Sequence, residues 1–494
     1  MDRLGAKGGL KLRAALTAVL IGASLMPPVL EARMSFDLPP QTSSRVDERA
    51  RRRINAVSVP SRRVPRSVTR SGTSTRTGFI SVEPTLGIAS DGTAFFYPAL
   101  DPERGDVEEL GIGRSTDGGR TWESILPQIP HAGSMDPYMF VDGVTGRVFV
   151  LDLQVACVRL SFSDDGGSTW VPGADCGAGD TVFMDHPSAA AGPPVDSPTI
   201  GYPNIVYICW ASFGEDEFGS SCAKSLNGGA SFIPILGGPS ISGCPGQTGH
   251  IHVAADGTVY LPYVCDGTPY LAVSTDEASS WTEIKLPRGI AKPVGVGFPG
   301  HEAAVATDSR GTLYYMWLEQ NRLPYFTSSS DRGATWRKPI RVSLPSVNEA
   351  NLPALSASPD GTVAIAYMGT AQSPGSPWGY WEPCLTSVGA TTSECPPEPA
   401  AYERTTWHGF VAISEDAFRK PGSWYTVRAN QVTDPLVRGT CGPIRCHSVA
   451  DFIDVFVTTR GEIWASFVDD CIDACVEANH PMHNGGEAII VRIP

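Results

Sequence analysis

Short apolar runs alternate with polar, glycine-containing turns along most of the chain, and few of these runs are long enough for a helix. In residues 89–97, for example, Asp91-Gly92 separates two short runs, and the second contains Phe95-Phe96-Tyr97. Tight turns of this kind between apolar runs are typical of β-hairpins. Similar units occur at 145–149, 256–260, 310–314, 360–363 and 460–464, and a looser one precedes 205–208. The pattern therefore predicts seven hairpins.

A second turn recurs between the hairpins, and its clearest copy is Ser115-Thr116-Asp117-Gly118-Gly119-Arg120-Thr121-Trp122. Its aspartate can accept backbone N–H groups, its glycines suit positive φ, and its aromatic residue begins the next strand. Good copies lie at 163–170 and 329–336, degenerate copies at 225–232 and 274–281, and a stretched copy runs from Ser414 to Trp424. We interpret these aspartates as scaffold.

Together the two elements describe units of four strands, each of roughly sixty residues. This predicts an all-β fold, a seven-bladed β-propeller of four-stranded antiparallel blades. The repeat resembles the sialidase-like Asp-box (BNR-repeat) β-propeller family over residues 79–494. The resemblance implies the fold more than the chemistry, because the same boxes occur in glycosidases, polysaccharide lyases and non-enzymatic sorting receptors. The seventh unit has no box; residues 488–493 match its third strand, and we expect its outer strand to come from the N-terminal side.

Charge divides the chain into two unlike parts. The net charge is −14, but residues 1–78 hold 15 Lys and Arg against 5 Asp and Glu, which leaves the remainder strongly acidic. Phosphate binding needs clustered cations, so an acidic body argues against nucleic acid or an anionic membrane as partner.

The basic N-terminal part has two predicted segments. Residues 1–32 have a basic start, a short apolar run and a small residue near a possible cleavage site, the pattern of a secretory signal peptide. The apolar run is short for a membrane span. Residues 33–78 contain eleven Arg with much Ser and Thr, which predicts a disordered basic linker before the propeller at 79–494. We therefore expect a monomeric, secreted protein, extracellular or periplasmic.

Twelve cysteines, an even number, fit disulfide pairing in an oxidising compartment. With the strands of each blade lettered A to D from the channel outward, all twelve map to loops or strand ends on the face that carries the D–A and B–C loops. We call this the upper face, and the face with the A–B and C–D turns the lower face. Neighbour pairing is the simplest arrangement, although the last four (Cys441, Cys446, Cys471 and Cys475) could also pair crosswise.

The inner strands begin with polar residues at that face, so these side chains are expected to converge over the central channel. Carboxylates and imidazoles in one cavity suit proton transfer or a hard cation, although some could simply bond backbone between blades. The predicted catalytic residues are Asp136, Asp185 and Glu302, with His186, His250 and His301 as partners. The predicted substrate-binding residues at strand starts are Glu83, Glu349, Asn351, His447 and Asp451.

Two long upper loops add further candidates. Trp378, Tyr380 and Trp381 could stack on sugar rings, or could equally pack on one another to hold their loop. Asp469, Asp470, His480 and His483 could ligate a metal, although their spacing matches no standard site. A divalent cation such as Ca²⁺ is the one cofactor considered.

The resemblance implies three arginines for a true sialidase, the first in an Arg-Ile-Pro at the opening strand. In this chain that strand begins Val82-Glu83-Pro84, and Arg492-Ile493-Pro494 lies at the other end of the chain. Acidic side chains around the channel opening would repel the carboxylate of sialic acid. The sequence therefore predicts a glycoside hydrolase or lyase acting on another glycan, with a carbohydrate or glycoprotein partner. The alternatives are a non-catalytic glycan- or protein-binding propeller and a metal-dependent hydrolase.

Overall fold

Seven antiparallel blades, each with four strands arranged from the channel outward, follow one another around the ring. The computed structural model describes residues 52–58, 71–99, 111–125, 134, 136–153, 158–173, 183–213, 218–235, 239, 248–265, 268–287, 303–319, 321–372, 405–439, 449, 451–471, 475 and 486–494. These belong to a single unit, Arg45–Pro494. The predicted all-β, seven-bladed propeller is confirmed.

The first three blades are regular four-stranded meanders, in which the chain runs from the inner strand A to the outer strand D. Blade 1 contains β3 (Val82–Ile88), β4 (Ala94–Ala99), β5 (Ile112–Ser115) and β6 (Glu123–Ile125). Blade 2 contains β7 (Tyr138–Val141), β8 (Val148–Leu153), β9 (Val158–Ser163) and β10 (Val171–Pro172). Blade 3 contains β11 (Phe183–Gly192), β12 (Ile205–Phe213), β13 (Phe218–Ser225) and β14 (Ile233–Ile235).

The next three blades repeat this order. Blade 4 contains β15 (His252–Val253), β16 (Val259–Cys265), β17 (Thr268–Ser274) and β18 (Thr282–Lys285). Blade 5 contains β19 (Ala303–Thr307), β20 (Leu313–Leu318), β21 (Pro324–Ser329) and β22 (Ile340–Arg341). Blade 6 contains β23 (Glu349–Ala357), β24 (Val363–Thr370), β25 (Thr406–Ser414) and β26 (Tyr425–Arg428), and a short β27 (Val437–Arg438) pairs with β25.

Blade 7 joins the two ends of the chain. It consists of β28 (Asp454–Val457), β29 (Ile463–Asp469), β30 (Glu487–Ile493) and, as its outer strand, β2 (Ser71–Ile80). The expected N-terminal closing strand is thus β2. Since β2 begins at Ser71, part of the segment assigned to a disordered linker lies in the propeller, and the predicted boundary at residue 79 is too late.

A further strand, β1 (Arg52–Ser58), connects blade 7 to blade 6. Its first half pairs with β2 and its second half with β26, so both blades share one ten-stranded sheet. The outer edges of these two blades are therefore both covered by the same N-terminal strand.

The core lies between neighbouring blades. In the cluster between blades 7 and 1, Trp464 packs with Phe96 and Trp122. Gly119 of the first Asp box lies against the same ring: it has φ +78°, and a Cβ there would lie 2.8 Å from Trp464. The first Asp box therefore contributes to the packing of blade 1 against blade 7.

The Asp-box turns have the predicted chemistry. Asp117 Oδ1 accepts N–H bonds from Arg120 (2.8 Å) and Thr121 (3.0 Å), and Gly119 N–H donates to Ser115 Oγ (2.9 Å). The same serine bond is present in the boxes that begin at Ser163, Ser225, Ser274 and Ser329. The boxes are scaffold, as interpreted from the sequence.

In four blades, an arginine or lysine side chain also reaches the Asp box of the next blade. It donates a hydrogen bond to a backbone carbonyl that has the same position in each box. We call these contacts latches. They are Arg492 to Gly118 (3.4 Å), Arg114 to Gly166 (2.8 Å), Arg147 to Gly228 (2.7 Å) and Lys224 to Glu277 (3.2 Å). The latches fasten four blade junctions on the lower face.

Two disulfides lie wholly within the described residues, Cys209–Cys222 and Cys471–Cys475. Both join neighbours in the cysteine order, so crosswise pairing of Cys471 and Cys475 is wrong. Cys265 is also disulfide-bonded, and no described cysteine is free. Cys157, Cys176, Cys244, Cys384, Cys395, Cys441 and Cys446 lie outside the described residues. No helix in the described part of the chain is long and apolar enough to cross a membrane.

Ring closure depends on an ion pair that can be tested. Arg76 on β2 bonds to Asp469, which is buried, and to Glu487 (3.1 Å). Arg76→Met should lower the free energy of unfolding by about 3 kcal/mol at pH 8, because it leaves a buried carboxylate uncompensated. The loss should be smaller at pH 5, where Asp469 can be protonated, since burial raises the pKa of Asp469 to about 7. Urea denaturation at both pH values measures this.

Asp469→Asn in the Arg76→Met background should restore much of that loss, and Arg120→Met, on an exposed box, is the matched control. An Arg76→Met loss at pH 8 no greater than the control's would contradict this role of the pair.

Candidate functional site at the channel mouth

Near its start, the inner strand of three blades contains a residue with an unusual backbone conformation. Glu83, His186 and Leu352 have φ of 52°, 51° and 51°, each directly precedes a proline, and each lies at a break in the register with strand B. Positive φ in a non-glycine residue costs of order 1 kcal/mol and is concentrated at functional sites. In blades 1 and 3 this bend turns a titratable residue toward the neighbouring blade.

Four carboxyl groups from four blades meet there. Asp136 Oδ2 accepts the backbone N–H of His186 (2.8 Å), and Glu83 Oε1 accepts that of Asp451 (2.8 Å). Asp136 also shares side-chain hydrogen bonds with Asp185 and Glu83. Glu83, Asp136 and Asp451 are buried, whereas Asp185 is partly exposed. We call Glu83, Asp136, Asp185 and Asp451 the acid cluster.

Aromatic rings meet beside the acid cluster. The ring of His186 lies 5.7 Å from that of His250 and 5.2 Å from that of Phe452, and His250 lies 4.7 Å from Tyr138. His250 and Phe452 are 5.5 Å apart. These four rings, which we call the ring layer, line the upper part of a central channel of about 410 Å³ that continues to the lower-face turns.

Burial controls the proton affinity of this region. It raises the pKa of Asp136, and the nearby Asp451 charge adds to this rise, while bonds from Asp185 and the His186 N–H oppose it. Lower in the channel, burial raises the pKa of Asp454 to about 7 and lowers that of His252 to about 4. The mouth therefore holds a carboxyl group that keeps its proton more readily than a free one.

The other strand-start candidates within the described residues have different contacts. Glu349 forms an ion pair with Arg322 of blade 5, and Asn351 is buried in blade 6. Of the metal candidates, Asp469 bonds to Arg76, and Asp470 is buried beside it. In the described part of the chain, no group of three or more His, Cys, Asp or Glu is arranged to hold a metal. Glu302, His301, His447, Trp378, Tyr380, Trp381, His480 and His483 lie outside the described residues.

Sequence reasoning missed three residues: Tyr138, Phe452 and Asp454. Phe452 and Asp454 belong to the run Phe452-Ile453-Asp454-Val455-Phe456, where an acid interrupts an apolar strand. That interruption was the available signal for Asp454. The two aromatic residues look like ordinary core positions, and nothing in their local pattern distinguishes them.

No protein-family model and no curated protein matches the sequence. Among solved structures, the chain is similar to a protein of unknown function from Dyadobacter fermentans, at TM-score 0.43 and 12% identity over 90% of this chain and 100% of that one. It is also similar to Aleuria aurantia lectin in complex with Fucalpha1-6GlcNAc (TM-score 0.42, 12% identity, 70% of this chain and 94% of that one). A third is the intramolecular trans-sialidase from Ruminococcus gnavus in complex with oseltamivir carboxylate (TM-score 0.37, 11% identity, 84% and 94%). At these values the likeness carries no argument about chemistry.

The protonation of Asp136 gives a testable consequence for stability. A carboxyl whose pKa is raised by folding stabilises the protein at low pH and loses that contribution as pH rises through the folded pKa. Asp136→Asn mimics the protonated form and keeps an acceptor for His186 N–H. Relative to wild type, it should therefore gain stability between pH 4.5 and pH 8, as followed by urea denaturation.

Asp136→Leu is the matched variant, since it removes the acceptor and should be less stable than wild type at both pH values. If Asp136→Asn instead lost stability relative to wild type as pH rose, Asp136 would be an ionised partner in the fold.

Proposed function

We propose that this protein is a secreted glycoside hydrolase or lyase that acts on a glycan other than sialic acid at the upper mouth of the channel. One observation carries the proposal: a buried carboxyl with a raised pKa, Asp136, is hydrogen-bonded to a partly exposed one, Asp185. A carboxyl whose proton affinity is set by a neighbouring carboxyl suits the acid/base of glycosidic bond cleavage, which must exchange a proton with the substrate. The Asp-box resemblance supports carbohydrate as the substrate class.

Asp136 and Asp185 form a unit that shares a proton. Two carboxyls in direct contact cannot both ionise readily, so one holds a proton while the other accepts a bond. Asp185 is the exposed member and has the role of acid/base toward substrate. Asp136 is a positioning residue that tunes it.

A glycosidase mechanism also needs a second carboxyl group, on the other side of the sugar ring from Asp185. Glycosidases place their two carboxyls about 5 to 10 Å apart, farther than a hydrogen-bonded pair. Glu302 is the candidate, because it directly precedes Ala303, the first residue of β19, and Ala303 lines the channel. It would act as nucleophile, or as the base that activates water.

Charge favours a neutral or cationic glycan. The acid cluster contributes four carboxyls, and no arginine is among the described residues that meet there. An anionic sugar would meet repulsion without a bidentate clamp.

The second candidate function is a non-catalytic glycan-binding propeller. It is favoured by the burial of Glu83, Asp136 and Asp451, two of which accept backbone N–H bonds and so brace the blades. In that case Asp185 and the ring layer would recognise sugar hydroxyls and C–H faces without cleavage. Secretion is part of both proposals, and the disulfides are compatible with it.

Incubation with a panel of neutral, amino and acidic glycans, with and without a chelator, tests the proposal. We expect reducing ends or unsaturated products from a neutral or amino glycan. Asp185→Asn and Glu302→Gln should each lower kcat/KM by about 100-fold or more, the range of a lost acid/base. Asp136→Asn should shift the pH profile and lower kcat with a smaller change in KM.

Glu123→Gln, on the exposed outer strand β6, is the matched control and should retain full activity. Full activity in Asp185→Asn would overturn the assigned site. Capture of a glycan without turnover would select the binding propeller, and activity abolished by the chelator would select the metal-dependent alternative.

A further inference from the structure

We propose that the central channel below the ring layer is a binding site for a small alkylammonium ion, with Asp454 as its counter-charge. This site is separate from the proposed glycan site, since it lies on the other side of the ring layer and is reached from the lower face. It does not depend on any catalytic role at the mouth.

The channel has the size and form of a ligand site. Its volume of about 410 Å³ falls in the range of small-molecule pockets. The ring layer packs across its upper part, with ring centroids 4.7 to 5.7 Å apart. Its lining continues down to the A–B turns of the lower face, at Ser90, Gly143 and Arg460. A ligand would therefore enter from the lower face.

Asp454 links blades 7 and 1 through backbone hydrogen bonds, which we call the bracket, and a neutral acceptor could make the same bonds. Its carboxylate accepts the backbone N–H of Leu86 in blade 1 (2.8 Å) and that of Val455 (2.8 Å). At two other junctions a neutral hydroxyl accepts the equivalent inner-strand N–H. These are Thr85 for Met139 (3.0 Å) and Ser188 for Ile251 (3.0 Å).

A carboxylate at this position has a cost that a hydroxyl avoids. Ionising a buried carboxyl is unfavourable, and burial accordingly raises the pKa of Asp454 to about 7. No cation among the described residues pairs with Asp454: its described polar contacts are backbone N–H groups, and Tyr138 lies near enough to feel its charge. A ligand cation would offset that cost.

The surroundings favour an alkylated ammonium over a metal ion. The aromatic residues Tyr138, Phe452 and Phe456 line the channel on blades 2 and 7, and the small residues Ala190, Ala304 and Ala357 line it on blades 3, 5 and 6. Aromatic faces beside one carboxylate attract organic cations and stabilise their methyl groups. A hard metal ion needs several oxygen ligands, whereas Asp454 supplies a single carboxylate that already accepts two N–H bonds.

Isothermal titration calorimetry with choline and its neutral isostere, 3,3-dimethylbutan-1-ol, tests the site on the full chain. At pH 8 choline should bind at least tenfold more tightly than the isostere. Asp454→Thr retains a bracket oxygen like those at the other junctions and should lose at least tenfold of the choline affinity while remaining folded. Asp454→Asn, the closest isostere, should lose a similar factor, which guards against a folding defect in the first variant.

Choline binding to the wild type should also weaken at least tenfold between pH 8 and pH 5.5. The other titratable or charged groups that line the channel are Tyr138, His186, His250, His252, Asp142, Arg460 and Glu462. Comparing the pH dependence of wild type with that of Asp454→Asn isolates the contribution of Asp454.

Asp185→Asn, at the mouth, should leave choline affinity unchanged, so failure of the glycan site and failure of the channel site are distinguishable. No choline binding at millimolar concentration, equal affinity for choline and the alcohol, or unchanged affinity in folded Asp454→Thr would each overturn the proposal.

Discussion

Pairing of β2 with β30 closes the ring, and every site on the molecule depends on that closure. The acid cluster draws Asp451 from blade 7, Glu83 from blade 1, and Asp136 and Asp185 from blades 2 and 3, so it exists only if the last blade meets the first. An open ring would expose the faces of blades 7 and 1 that pack on each other, and its blades would share no common axis. Arg76 ties the closing strand to Asp469 and Glu487, which lie on the two strands inside it.

Around the lower face, the latches also hold neighbouring blades together. Their acceptor is a backbone carbonyl, so the side chain at the accepting position can vary. In blade 4 that position is Glu277, whose carboxylate accepts three N–H bonds from residues 195–197 of blade 3. The Ser197 hydroxyl also donates to this carboxylate, and together with the three N–H bonds it holds the pKa of Glu277 at about 2, below its usual value. A degenerate Asp box thus contributes a stronger inter-blade contact than a standard one.

The sequence allowed the blade number, the box turns and the meeting of Glu83, Asp136, Asp185, His186, His250 and Asp451 to be predicted, because each depends on local turn chemistry repeated at regular intervals. It did not allow β2 to be placed. Outer strands bury few apolar side chains: β6 and β14 are mostly exposed, and the buried side chains of β2 include Ser74, Thr75 and Thr77, so no apolar run marks this strand. Asp454 and Phe452 were missed for another reason. Their importance comes from what lies across the channel, which no local pattern records.

The positive φ at Glu83 and His186 lowers stability, but relieving it with glycine would remove the side chain. Glycine would adopt the same φ without strain, yet it would remove a carboxyl or an imidazole from the mouth. Leu352 has the same bend, but its side chain is fully buried and offsets the cost by packing. At position 83 glycine would also leave the Asp451 N–H without its acceptor, and at position 186 it would remove the ring that packs on His250 and Phe452. The strain is therefore retained because the strained residues are themselves contacts between blades.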